Sequence, residues 1–251
     1  MLLGGLAGAA LLAGFIDAVV GGGGLIQIPA LFQTLPRELP ATLFGTNKFS
    51  SIFGTSSAAW RYARRVDMPW RTTLPAAGAA LACSYLGAMA VAWLPPAVLR
   101  PLILLLLIGA AAYTFARGDF GSIHRPQHTG RREFAYALLL GGVIGFYDGF
   151  FGPGTGSFLI FMFIRFFGFD FLHASAAAKV VNVATNLAAL GFFIPHGHLL
   201  PLLAVMMAAC NVAGSFFGTH LALRHGSAFV RRAFLGVVSV FIIKFAHDTF
   251  F

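Results

Sequence analysis

Charge is scarce in this sequence. Lys and Arg total 17 and Asp and Glu only 8 among 251 residues, where a soluble domain of that length carries roughly 60 charged side chains. The deficit excludes a water-soluble globular protein, because apolar residues reach 58% and one water-facing core could not hide them all. Cysteine is nearly absent as well. Cys83 and Cys210 both sit inside apolar stretches, which argues against a disulfide framework and for small-residue packing. The start at Met1 has no charged n-region and no small-residue cleavage site, so no cleavable signal is expected. Enzyme motifs are missing too: there is no P-loop, no H-E-x-x-H and no G-x-S-x-G, and the glycines at 152–156 lack the strand, turn and helix setting of a dinucleotide fingerprint. The chain is therefore expected to be neither an enzyme nor a cofactor protein. A net charge of +9 does not point to nucleic acid, because the basic residues fall in short clusters between apolar runs, as loop arginines of a membrane protein do.

What is present is hydrophobic length. Stretches near 41–62, 73–94, 97–116, 172–194, 199–223 and 228–247 are each long enough to cross a bilayer, which takes about 20 helical residues. Two longer stretches, 1–35 and 134–167, are interrupted, one by four glycines from Gly21 to Gly24 and the other by Gly152, Pro153, Gly154 and Gly156. Each reads as a discontinuous helix or a re-entrant hairpin. The expected organisation is an all-α integral membrane protein of about eight hydrophobic segments, with a first repeat at 1–116, a linker at 117–133 and a second repeat at 134–251.

The repeat is visible at a constant offset of 131 residues, which pairs Asp17 with Asp148, Gly21 with Gly152, Lys48 with Lys179, Ser84 with Ser215 and Gly87 with Gly218. Coincidence of the rare intramembrane charges is the persuasive part. Orientation follows from the arginines. If each broken stretch enters and returns, twelve arginines, among them Arg61, Arg64, Arg65, Arg224 and Arg231, share one side against Arg37 and Arg100 on the other. A single crossing gives a near-even split, so inverted repeats with a cytoplasmic linker from Arg117 to Arg132 are the favoured reading.

Irregular backbone at membrane depth is tolerated where protein covers it or where it lines an aqueous cavity. The helices that resume after the breaks begin with free N–H groups and a partial positive charge, which suit an anion. Gly22, Gly23 and Gly24 in one half, and Gly154, Thr155 and Gly156 in the other, are therefore candidate substrate contacts. Lys48 and Lys179 strengthen this reading, because a charge inside a span costs on the order of 3 kcal/mol and is usually paired or functional. Around them Thr46, Asn47, Ser51, Asn182 and Asn186 could donate hydrogen bonds to the oxygens of a small oxyanion. Asp17 and Asp148, each 31 residues before its lysine, either pair with the lysine of their own half or carry a coupling proton. In the purely architectural alternative, the pairs Asp17 with Lys48 and Asp148 with Lys179 only hold the structure together. His196 and His198 form an H-x-H pair in a turn, but no third ligand is evident, and no metal site is expected. Trp60, Trp70 and Trp93 read as interfacial anchors, and the Phe-rich stretch 158–171 as lipid-facing or packed side chains.

The segments GFIDAVVGGGGLIQIP at 14–29, Thr46-Asn47-Lys48, GFYDGFFGPGTGSF at 145–158, and Lys179-Val180-Val181-Asn182 followed by Ala184-Thr185-Asn186 resemble the TauE/SafE family. The resemblance covers nearly the whole chain, and the second glycine motif is similar to that of the YfcA-like members. It implies a multi-pass permease of the bacterial plasma membrane with two repeated halves, and makes sulfite or organosulfonates the leading substrates of an exporter working by alternating access. One departure is that Ala176, Ala177 and Ala178 precede Lys179 where the first half has Gly45, Thr46 and Asn47, so the two half-sites are expected to contribute unequally. The competing readings are a transporter of a different small anion and a non-transporting membrane assembly protein. The expected partners are a small anion and the bilayer, and the oligomeric state is left open.

Overall fold

The structure, a computed structural model, describes residues 2–90, 124 and 130–250. The expected span at 97–116, Trp93 and most of the 117–133 linker lie outside the described residues. All regular structure among the described residues is helical. The first half supplies α1 (Leu2–Val20), α2 (Gly24–Thr34), α3 (Pro40–Ala63) and α4 (Trp70–Ala90), and the second supplies α5 (Gly130–Phe150), α6 (Thr155–Phe167), α7 (Phe171–Phe193) and α8 (Pro201–Phe250). The second half starts earlier than its hydrophobic pattern implies, since Gly130 to Glu133, assigned to the linker, already belong to α5.

Local chemistry explains the boundaries. Gly21 (φ +77°) and Gly152 (φ +91°) take the left-handed conformation that stops α1 and α5. Pro40 opens α3, where its missing N–H is not needed. Asp170 caps α7 by accepting a hydrogen bond from the His173 N–H at 2.8 Å. Inside α8, Gly226 (φ 68°, ψ −166°) breaks the helix, which separates the two expected spans at 199–223 and 228–247. Elements α2, α3 and α4 begin 131 residues before α6, α7 and α8, so the repeat seen in sequence is a repeat of structure.

Among the described residues, four helical segments, Leu3–Val20, Trp70–Ala90, Phe171–Phe193 and Pro201–Val240, are long and apolar enough to cross a membrane. Helix α3 has 24 residues but is less apolar, because it buries Thr42, Thr46, Asn47, Lys48, Ser50 and Thr55. The arms after the breaks are short. With 11 residues in α2 and 13 in α6, they extend about 16 and 20 Å at 1.5 Å per residue, against a hydrocarbon core of about 30 Å. The Phe-rich stretch is mostly interior: Phe158, Phe163, Phe167, Phe169 and Phe171 are buried, and Phe166 is exposed.

The halves interlock. Helix α1 packs on α8 and α4 on α5, α3 on α8 and α4 on α7, and α3 meets α7. Each of the first four contacts has its counterpart with the halves exchanged, the pattern of an approximate two-fold arrangement. Lipid offers no hydrophobic force between helices, so close approach of small residues and hydrogen bonds must supply the attraction. Gly141, Gly145 and Gly149 on α5 lie directly against the backbone at Ala76, Ala80 and Ser84 on α4, at a four-residue spacing on both helices. Matched hydrogen bonds tie the halves together: the Ser84 hydroxyl donates to the Thr185 carbonyl (2.9 Å) and the Ser215 hydroxyl to the Gly54 carbonyl (2.6 Å). Replacing Gly145 with Val should cost about 1–3 kcal/mol by overpacking α4. Gly78→Val, which has open space around it, should cost clearly less, and thermal unfolding of both variants in detergent checks the difference.

Candidate functional site

The two glycine breaks meet at the centre of the molecule. The Ser157 N–H donates to the Gly21 carbonyl (2.9 Å) and its hydroxyl to the Val20 carbonyl (2.9 Å), joining the start of α6 to the end of α1. Gly21 and Gly156 touch through their backbones so closely that neither has room for a Cβ. Conformation is not duplicated within the breaks, since Gly154 is left-handed (φ +82°) whereas Gly23 is helical (φ −57°).

Beside this junction lies a cavity of about 30 Å³, lined by both halves, with room for about two waters. Asn47, Lys48, Ser51, Asn182, Asn186 and Thr155 contribute side chains, Gly24, Gly154 and Gly156 contribute backbone, and Asp17 and Asp148 contribute carboxylates. Three residues not singled out by sequence also line it: Gly21, Thr55 and Gly152. Gly21 and Gly152 belong to the glycine breaks that the sequence places at the site, and Thr55 lies one turn beyond Ser51, so the helical period of α3 is the available signal. Other candidates are spent elsewhere. The Thr46 hydroxyl donates to the Thr42 carbonyl (2.8 Å) and accepts from the Leu200 N–H (3.1 Å). Gly23 packs on Ala13 and Asp17 of α1, and neither it nor Gly22 is among the lining residues.

The ion pairs differ from those expected within each half. Lys48 Nζ lies 2.6 Å from Asp148 Oδ2, and Lys179 Nζ lies 3.0 Å from Asp17 Oδ2, so each lysine pairs with the aspartate of the opposite half. The reason is geometric. Helices α3 and α7 pack together at the interface of the halves, and each carries its lysine to the end of the partner half's first helix. Asp17 Oδ2 also accepts from the Thr55 hydroxyl (3.2 Å). Lys179 is fully buried and is not among the lining residues, whereas Lys48 is. This gives the two half-sites unequal roles.

Two lysines and two aspartates leave the centre formally neutral. The Oδ1 atoms of Asn47 and Asn182 are buried with no protein partner, and such groups normally find one, water included. The cavity thus presents ammonium and amide groups together with free acceptors, a lining suited to a small polar guest bearing oxygens and a proton or water.

Away from the cavity, His124, Asp170 and His173 bring their polar atoms within 4.8 Å of one another, a cluster the sequence spacing did not disclose. His173 Nδ1 is 2.9 Å from Asp170 Oδ1. Burial raises the Asp170 pKa, but the hydrogen bonds and charge of His173 outweigh it and hold the carboxyl below its ordinary range. The H-x-H pair diverges: His196 Nδ1 lies 2.7 Å from the Phe192 carbonyl and His198 Nδ1 lies 3.4 Å from Thr42 Oγ1. Trp60 and Trp70 are exposed, as interfacial anchors would be.

The exchanged pairing is open to a double-mutant cycle. Lys48→Ala should cost about 3 kcal/mol by leaving Asp148 buried and unpaired, and Asp148→Asn in the same chain should restore much of that loss. The coupling of Lys48 to Asp148 should reach about 0.5–3 kcal/mol and exceed that of Lys48 to Asp17, as measured by unfolding of the purified variants.

The model of the family described as "Sulfite exporter TauE/SafE" matches residues 6–245. The chain is 38% identical over 233 residues to a "probable membrane transporter protein ORF9" of a Sinorhizobium species, covering 92% of this chain and 87% of the relative. It is 34% identical over 251 residues to the "probable membrane transporter protein YfcA" of Escherichia coli K12, covering 99% and 91%. A "probable membrane transporter protein" of Haemophilus influenzae is 31% identical over 237 residues, covering 94% and 91%. No solved structure matches. With its apolar helices and the family match spanning nearly its whole length, this multi-pass membrane protein belongs to the TauE/SafE family of membrane transporters.

Proposed function

We propose that the protein is a secondary transporter of the bacterial plasma membrane that exports a small oxyanion, sulfite or an organosulfonate, through the central cavity. The observation that carries this reading is that two broken helices, the buried Lys48, two aspartates and several amide and hydroxyl groups from both halves converge on one cavity, with Lys179 paired to Asp17 behind its wall. Discontinuous helices at a repeat interface are a common way for transporters to bind substrate at the midplane. The substrate class rests on the description of the matching family.

The ion pairs suggest the coupling. An anion entering a neutral centre must compete with Asp148 for Lys48. Protonation of Asp148 would release the lysine and keep the site neutral once the anion is bound, so anion and proton should move together. The described cavity admits only about two waters, which suits a closed state that must widen to admit substrate.

Orientation is part of the proposal. Near the start of α3, Thr42 meets His198 just past the end of α7. At the opposite end, Tyr62 of α3 and Ser175 of α7 both donate to carbonyls at the end of α1, those of Ala18 (2.9 Å) and Val19 (3.3 Å). Corresponding helices thus run antiparallel, which supports inverted repeats. In this arrangement the 117–132 linker is cytoplasmic, with the arginines at the end of α3 on the same side.

The pairing of both lysines also favours the second reading, a non-transporting membrane assembly protein in which the charges are architectural. Flux decides between them. Proteoliposomes should export sulfite or a small sulfonate faster than chloride or acetate under an imposed pH gradient, and Lys48→Gln should lower the flux at least tenfold. The folded protein should also gain about 2.7 kcal/mol of stability at 100 times the Kd of its substrate. No selective flux or stabilisation with any of these anions, together with full function of the exchanged pair Lys48→Asp with Asp148→Lys, would favour the architectural role.

A further inference from the structure

A second concave site lies away from the central cavity, at the end of α3. It encloses about 390 Å³ between α3 and α8 and is lined by Trp60, Arg61, Arg64, Arg65, His220, Leu223 and Arg224. Four arginines line this space, and none of them forms an ion pair with a described carboxylate. Arg61 is held in place, with Nη1 donating to the Phe216 carbonyl (2.9 Å) and its guanidinium 3.6 Å from the centre of the Phe216 ring. Arg64 stacks over Trp60 at 4.5 Å. Arg65 and Arg224 are exposed. Four like charges around one hollow give it a positive potential that attracts an anion.

The surroundings say what kind of anion. Trp60 is exposed at the end of a buried-polar helix, where an interfacial ring belongs. On the same two helices, towards the middle of the bundle, Phe53, Phe216 and Phe217 are 48%, 47% and 59% exposed. A basic hollow at the ends of helices that carry exposed phenylalanines complements an amphiphile, with phosphate oxygens among the arginines and acyl chains along the apolar helix faces. We propose that this pocket binds the headgroup of an anionic phospholipid, fixing α3 and α8 to each other at the membrane border. The site is independent of the substrate cavity.

The test measures lipid retained by delipidated full-length protein after incubation with phosphatidylglycerol or phosphatidylcholine, read by native mass spectrometry, with inorganic phosphate as a third arm. Phosphatidylglycerol should be retained in preference, and millimolar phosphate should not displace it. Replacing Arg64, Arg65 and Arg224 by Gln should weaken retention roughly fivefold per arginine. The matching triple Lys variant, which keeps the charge, should recover most of it and so separates lost binding from lost folding. Equal retention of the two lipids, or undiminished retention in the Gln variant, would overturn the proposal. Displacement by phosphate alone would overturn its lipid source and leave a site for a free anion.

Discussion

Among the described residues, the buried lysines Lys48 and Lys179 are each neutralised by an aspartate from the opposite half of the chain. An unpaired charge at this depth would be expensive, so the halves must meet in register before either charge is satisfied. Lys48 on Asp148 and Lys179 on Asp17 therefore act as a condition on assembly, and the cavity forms where they come together. Neither half alone holds a complete set of partners.

The rest of the packing is arranged so that this meeting is possible. Because lipid tails are as apolar as leucine, helices gain little by hiding hydrophobic surface from them, and contact depends on how closely backbones approach. Glycines every four residues on α5 face small residues every four residues on α4, and serine hydroxyls reach carbonyls of the other half. The glycine breaks follow the same logic. Gly21 and Gly156 touch without side chains, which lets the end of α1 and the start of α6 share a hydrogen bond instead of exposing bare backbone to hydrocarbon.

Asymmetry enters through individual side chains. Asn211 donates to Gln27 at 3.1 Å in a buried pair, whereas the corresponding positions, Ala80 and Phe158, carry no amide. Lys48 faces the cavity and Lys179 does not. A repeated backbone thus presents a non-repeated lining.

Much of this was legible in the sequence. The charge deficit, the run lengths, the two breaks and the constant offset depend only on local composition and on spacing along the chain, and they anticipated most of the described helices, the two breaks and most cavity residues. Asn47, Ser51, Asn182 and Asn186 were visible because they share a helix with a lysine whose cost marks it out. What spacing could not supply was partnership. A separation of 31 residues between Asp17 and Lys48 suggested a pair within one half, and the folded chain chose the other half, because pairing depends on which helices cross and not on distance along the sequence. For the same reason Thr46, polar and two residues before Lys48, bonds Thr42 on its own helix and the Leu200 N–H just before α8, whereas Thr55 lines the cavity. Helical segments and their breaks follow from local backbone chemistry, but the partners of a buried charge are decided by packing between segments far apart in the chain.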